Sequence, residues 1–171
     1  MCNSIQNNED NILDSEHFTR WVYCPRSVDE SGVLKNDFVY LRIIKGEPEE
    51  GISGQIFEKV GHNGILECGR KFIRTSKNGT KELFLGYVKA KVGSIRNIAE
   101  EMENINADNA NCKIDVLYTE SEAIPFHAEI RLYINNILLT GAFLKGITPN
   151  AYFLYYQRKL KKLFEKDFVK I

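Results

Sequence analysis

The sequence predicts an α+β domain: an antiparallel sheet built largely from hairpins, with a short N-terminal helix, a middle helix and a C-terminal helix. Three observations predict it. Asn78-Gly79, and less strongly Asn135-Asn136, stand between runs of alternating apolar residues, the pattern of a β-hairpin turn. An apolar period near 3.6 residues appears after Ser94 and again after Pro149. The strands come in pairs between the helices, which favours helices laid on one side of an antiparallel sheet. At 171 residues, with 43% hydrophobic and 27% charged side chains, the chain has the size and composition of one globular domain. We place that domain at residues 14–171, behind a flexible Asn-rich lead-in at 1–13.

The elements follow in order. DSEHFTRWVYCPRS predicts a short helix: Asp14 or Ser15 caps it, Phe18, Trp21 and Val22 have helical spacing, and Pro25 ends it. A loop with Ser31-Gly32 as its turn comes next. The β-branched and aromatic content of DFVYLRIIKG predicts a strand over 38–44, and GEPEEGISGQ predicts an exposed turn or loop. From Gln55 to Gly69 strand and helix are equally compatible with the pattern. The Asn78-Gly79 turn then sets Ile73 opposite Phe84 and Phe72 opposite Leu85 in a hairpin. Ser94 caps a helix whose buried face is Ile95, Ile98, Ala99, Met102 and Ile105. CKIDVLYTE is a strand, and FHAEIRLYINNILLTGAF is a second hairpin turning at Asn135-Asn136. Thr148-Pro149 opens the last helix, with Tyr152, Tyr156, Leu160, Leu163 and Phe164 as its stripe.

Charge excludes little but directs attention. Twenty-three basic residues balance 23 acidic ones, so no overall field favours nucleic acid or an acidic membrane. Residues 1–19 are acidic, and the segment after Gln157 is basic. The beginning, MCNSIQNNEDNILD, is polar and acidic where a signal peptide is basic and then apolar, and no apolar run reaches a membrane span. Cys2, Cys24, Cys68 and Cys112 have no metal-ligand or redox spacing, and four free thiols are expected. These features predict a cytoplasmic protein that does not touch membrane.

The functional candidates lie in two places. In FHAEIRLYI, strand alternation turns Phe126, Ala128, Ile130, Leu132 and Ile134 to a core and His127, Glu129, Arg131 and Tyr133 away from it. An antiparallel sheet shows water such a polar set without further function. His127, titrating near neutrality, is a candidate base or metal ligand. The preceding strand puts Lys113, Asp115 and Leu117 on one face. An acidic residue on one strand and Glu129-x-Arg131 on the next, between two helices, resembles the PD-(D/E)xK nuclease arrangement over residues 94–165. That resemblance implies a magnesium or manganese ion on Asp115 and Glu129, with Glu100 or Glu101 as an added ligand. Arg131 would stand at the water-orienting position, where the family usually has lysine. The second place is the C-terminal helix, whose Tyr152, Tyr155, Tyr156, Arg158, Lys159 and Lys162 suit a protein interface or, less directly, nucleic acid. The sequence contains no Gly-rich phosphate loop and no complete catalytic set. The expected function is therefore binding, as a small accessory component of a bacterial protein assembly without a cofactor. The metal-dependent nuclease is the alternative.

Overall fold

A computed structural model describes residues 11–41, 43–44, 46–72, 75, 79, 81–105, 110–141 and 151–171. In chain order its elements are β1 (His17–Cys24), a 3-10 turn at Asn36–Val39, β2 (Ile43–Ile44), β3 (Glu47–Pro48), β4 (Ile52–Ile56) and α1 (Phe57–Lys71). Then come β5 (Leu83–Lys91), α2 (Val92–Ile105), β6 (Cys112–Tyr118), β7 (His127–Ile134), β8 (Ile137–Leu138), α3 (Ala151–Glu165) and β9 (Phe168–Lys170). The main sheet has seven strands in the order β6-β7-β4-β1-β5-β9, with β8 hydrogen-bonded to β7, and all its pairings are antiparallel. The α+β expectation holds.

One face of the sheet carries the main core. Phe18, Val22, Ile52, Ile56, Val88, Ile114, Val116, Ala128, Ile130 and Leu132 meet Ile95, Ile98 and Met102 of α2 and Phe153, Tyr156, Leu160 and Phe164 of α3. Each large side chain buried there is worth about 1.5–3 kcal/mol, so α3 is an integral part of the domain and not an appendage. The predicted stripes of α2 and α3 face this core as the period requires, except that Ile105's side chain lies outside the described residues. The other face is only partly covered: Ile65 and Leu66 of α1 pack on Tyr87, flanked by Trp21, Phe84 and Val169, over the β1–β5–β9 side. The helices therefore sit on both faces, where all of them were expected on one.

Several expectations are corrected. The predicted N-terminal helix is the central strand β1. Phe18, Trp21 and Val22 fit a helical period because β1 is covered on both faces, which removes strict alternation, and a bulge between Val22 and Tyr23 shifts its register against β5. Ile12 is buried in the main core, so the domain reaches into the segment read as a lead-in. The strand expected over 38–44 is a 3-10 turn followed by the two residues of β2. Much of the expected loop GEPEEGISGQ forms β3 and β4. Phe72 ends α1 instead of pairing with Leu85; Gly79 has φ +78°, and Thr75 and Lys81 on either side of it form an antiparallel bridge. Ile73, Asn78, Thr148 and Pro149 lie outside the described residues. Ser94 lies inside α2, whose first N–H groups, from Val92 and Gly93, are met by the carbonyls of Glu16 and Asp14. The Asn135-Asn136 turn is as expected, both residues having positive φ (51° and 63°).

Candidate functional site

The half of the second face formed by β4, β7 and β6 carries no helix among the described residues. Strand register sets its side chains in rows: Gln55 beside His127, Ser53 beside Glu129 beside Leu117, Arg131 beside Asp115, and Tyr133 beside Lys113. The sequence expectation is met for Ala128, Ile130 and Leu132, which are buried, and for His127, Glu129, Arg131 and Tyr133, which are half-buried on the other side. Ile134 is half-buried, and Phe126, expected in the core, precedes β7 with φ +50° and is exposed, because the turn there breaks the alternation.

The ionic groups on this face are paired locally. Arg131 donates from Nε and Nη2 to Glu129 Oε2 at 3.1 and 2.9 Å, and its Nη2 lies 3.1 Å from Glu50 Oε2. Lys113 Nζ is 2.8 Å from Asp115 Oδ2. Asp115 holds the Lys113 ammonium pKa above its ordinary value. Partial burial works against the Arg131 charge, but Glu129 and Glu50 more than offset it and hold that pKa up. Each carboxylate is thus neutralised by a cation two positions away on its own strand. Asp115 and Glu129 share the face, as the nuclease resemblance requires, but on diagonal positions. Glu100 and Glu101 ride on α2, across the sheet from both, and Glu101 is engaged by Tyr155 and Lys159 of α3. Among the described residues no group of three or more His, Cys, Asp or Glu side chains is placed to hold a metal ion. His127 Nδ1 lies 2.6 Å from Thr119 Oγ1. Burial pushes its pKa below the usual histidine value in spite of the Glu129 carboxylate nearby.

Beside this face is a feature the sequence did not announce. β1 pairs with β4 only at Phe18–Ile56 and Thr19–Gln55, and beyond Thr19 the two strands part. The wedge between them is a cavity of about 240 Å³ whose lining includes Arg20, Trp21, Arg26, Phe38, Gln55 and His127. Side chains take the hydrogen bonds that a neighbouring strand would have made. Arg20 Nη1 donates to the Ser53 carbonyl at 3.0 Å, Thr19 Oγ1 to the Gln55 carbonyl at 3.0 Å, and the Tyr23 N–H to Ser27 Oγ at 3.1 Å. The Arg20 guanidinium lies 5.1 Å from the centre of the Phe38 ring, and Arg26 Nε is 2.8 Å from both oxygens of the buried Glu82 carboxylate. Gln55 is 1% exposed; its Nε2 donates to the Pro125 carbonyl, while its Oε1 has no hydrogen-bond partner. Arg20, Arg26 and Gln55 were not sequence candidates. A glycine beside a glutamine in a strand was the only signal, and it reads equally well as a loop.

The C-terminal candidates divide. Tyr156 is fully buried in the main core, and burial drives its phenol pKa strongly upward, so it is not available to a partner. Tyr152 is half-buried against the same core. Tyr155 Oη donates to Glu101 Oε2 at 2.9 Å, and Lys159 pairs with the same carboxylate. These two side chains tie α3 to α2. Arg158 and Lys162, one turn apart, are exposed. No helix among the described residues is long and apolar enough to cross a membrane.

No protein-family model, curated protein or solved structure matches this chain.

Proposed function

We propose that the protein is a binding component, a small cytoplasmic accessory subunit of a bacterial protein assembly, and that it meets its partner protein through the uncovered β4–β7–β6 face. The observation that carries this reading is the local pairing of Asp115 with Lys113 and of Glu129 with Arg131. Carboxylates that already share a cation on their own strand form a charge-patterned, hydrogen-bonding surface. A metal site needs them turned together with open positions for water. Leu117 and Tyr133 add half-buried apolar area between the charges, in keeping with the mixed character of protein interfaces. The adjoining wedge offers a recess for a projecting side chain of the partner. The unpaired thiols of Cys24, Cys68 and Cys112 agree with a reducing compartment.

The test has two arms. Magnesium or manganese at about a hundred times its dissociation constant would stabilise a genuine metal site by about 2.7 kcal/mol. We expect no shift in melting temperature with either ion, and no hydrolysis of a simple phosphodiester. In the second arm, affinity capture should recover a partner protein with the wild type and lose it with Leu117→Arg. A metal-dependent shift that disappears in both Asp115→Asn and Glu129→Gln would replace binding by the nuclease reading.

A further inference from the structure

Among the described residues the outer edge of β6 is an open end of the main sheet. The Thr119 N–H donates to the His127 carbonyl and the Asn135 N–H to the Asn111 carbonyl, so odd-numbered residues of this strand turn their backbone groups toward β7. Cys112, Ile114 and Val116 turn theirs outward. Two outward groups are covered by side chains from α2: Glu103 Oε1 accepts from the Cys112 N–H at 3.0 Å, and Arg96 Nη2 reaches the Val116 carbonyl at 3.3 Å. Neither group of Ile114 has a partner among the described residues, nor does the Val116 N–H or the Cys112 carbonyl. The strand pairs with β7 from Cys112 to Tyr118 without a bulge and contains no proline, so it lacks two of the devices that usually blunt an edge.

We infer that this edge pairs with the same edge of a second copy of the chain, antiparallel and centred on Ile114, so that the two sheets run on as one. The charge pattern selects both the partner and the register. About a two-fold axis at Ile114, Lys113 falls opposite Asp115 of the second copy, and Asp115 opposite its Lys113, on the uncovered face. Cys112 falls opposite Val116 of the second copy. Its N–H and that carbonyl, the two groups now covered by Glu103 and Arg96, become each other's partners. On the helix face the displaced Glu103 then stands beside Arg96 of the second copy, so a second set of opposite charges meets. Centring on Asp115 would put that carboxylate against itself, and centring on Val116 would leave Asp115 facing Leu117; both waste the pattern. The covering bonds are readily given up: Glu103 is exposed, and Arg96, whose Nη1 is paired with Asp14, reaches the Val116 carbonyl only by a long bond from Nη2. With 23 charges of each sign the chain has no net charge to hold copies apart. The inference is independent of which partner the protein binds.

Sedimentation equilibrium tests it with the wild type, Lys113→Asp, Asp115→Lys and the double charge swap. We expect a wild-type mass of twice 19.7 kDa. Each single reversal should weaken association by about tenfold or more, and the swap should return it to within about threefold of wild type. A wild type that stays monomeric at ~100 µM, a dimer indifferent to the single reversals, or a swap that does not recover association would each overturn the inference. Hydrogen exchange on the wild type alone is a second readout, free of any folding defect in the variants. Protection of the Ile114 and Val116 amides should rise with protein concentration, and protection that does not change with concentration also overturns it.

Discussion

Gly54→Ala isolates the contact on which the β1–β4 wedge depends. A Cβ at position 54 would lie 2.1 Å from the Thr19 carbonyl oxygen and 2.3 Å from Phe18 Cζ, where ordinary contact begins at 3.4 Å. The nearer obstacle is backbone, so no side-chain rotation relieves it, and the Phe18 ring is fully buried. The strands must therefore separate where they still pair, at Phe18–Ile56 and Thr19–Gln55. Overpacking of this kind costs about 1–3 kcal/mol, and each strand or side-chain hydrogen bond lost there adds about 1 kcal/mol. A total near 3–4 kcal/mol corresponds to a fall in melting temperature of about 10 °C for a chain of this length. Gly61→Ala is the control. Gly61 has φ +71° and ψ 167°, a region essentially reserved for glycine, with nothing within 4 Å of an added Cβ, so its cost is conformational alone, about 1–3 kcal/mol. Urea unfolding of both variants measures the difference. If Gly54→Ala is no less stable than Gly61→Ala, the close approach of β1 to β4 is not as described and the wedge loses its hinge.

Other outcomes follow from single contacts. Burial lowers the His127 pKa, so the unfolded chain takes up a proton first as pH falls through about 6.5. Stability therefore declines from there down to the folded-state pKa, and His127→Gln should flatten this decline in urea midpoints taken at pH 7 and pH 5.5; an unchanged slope would refute it. Arg26→Met strands a Glu82 carboxylate whose side chain is 3% exposed and should cost about 2 kcal/mol, with Arg26→Met/Glu82→Leu recovering most of the loss. A double variant no more stable than the single one would show that the pair matters for some other reason. Cys24, Cys68 and Cys112 should all take up an alkylating reagent after denaturation without reductant, and protection of any two would contradict their unpaired state.

The second half of the chain was legible because its elements are covered on one side only. The face of α2 and the alternation of β7 survive in the sequence as clean periods, and Asn135-Asn136 supplies a turn with the backbone geometry it needs. β1 was not legible for the opposite reason. Phe18 and Val22 face the main core, while Thr19 and Tyr23 are buried on the other side, so the polar Thr19 is hidden and marks no solvent face. GISGQI looked like a loop because glycine usually marks one, whereas Gly54 is required by the approach of a neighbouring strand. Alternation showed which residues share the face of His127, Glu129 and Arg131. It could not show that each carboxylate there is met by a cation from its own strand. The wedge was invisible because it arises from two strands parting, a relation between segments more than thirty residues apart that no local pattern records.

The strand order also has a consequence in time. β1 leaves the ribosome well before β5, yet its longest pairing is with β5, and His17 must wait for Lys91. β5 in turn finds its outer neighbour only when Phe168–Lys170 has been made. During synthesis this central strand therefore lacks its longest pairing while some sixty later residues are added, and closure depends on contacts distant in sequence. Such a topology folds slowly, and its nascent chain offers an unpaired strand to any passing copy. Arrest of translation before β5 should yield a chain that holdase chaperones retain, and arrest after β9 one that they release.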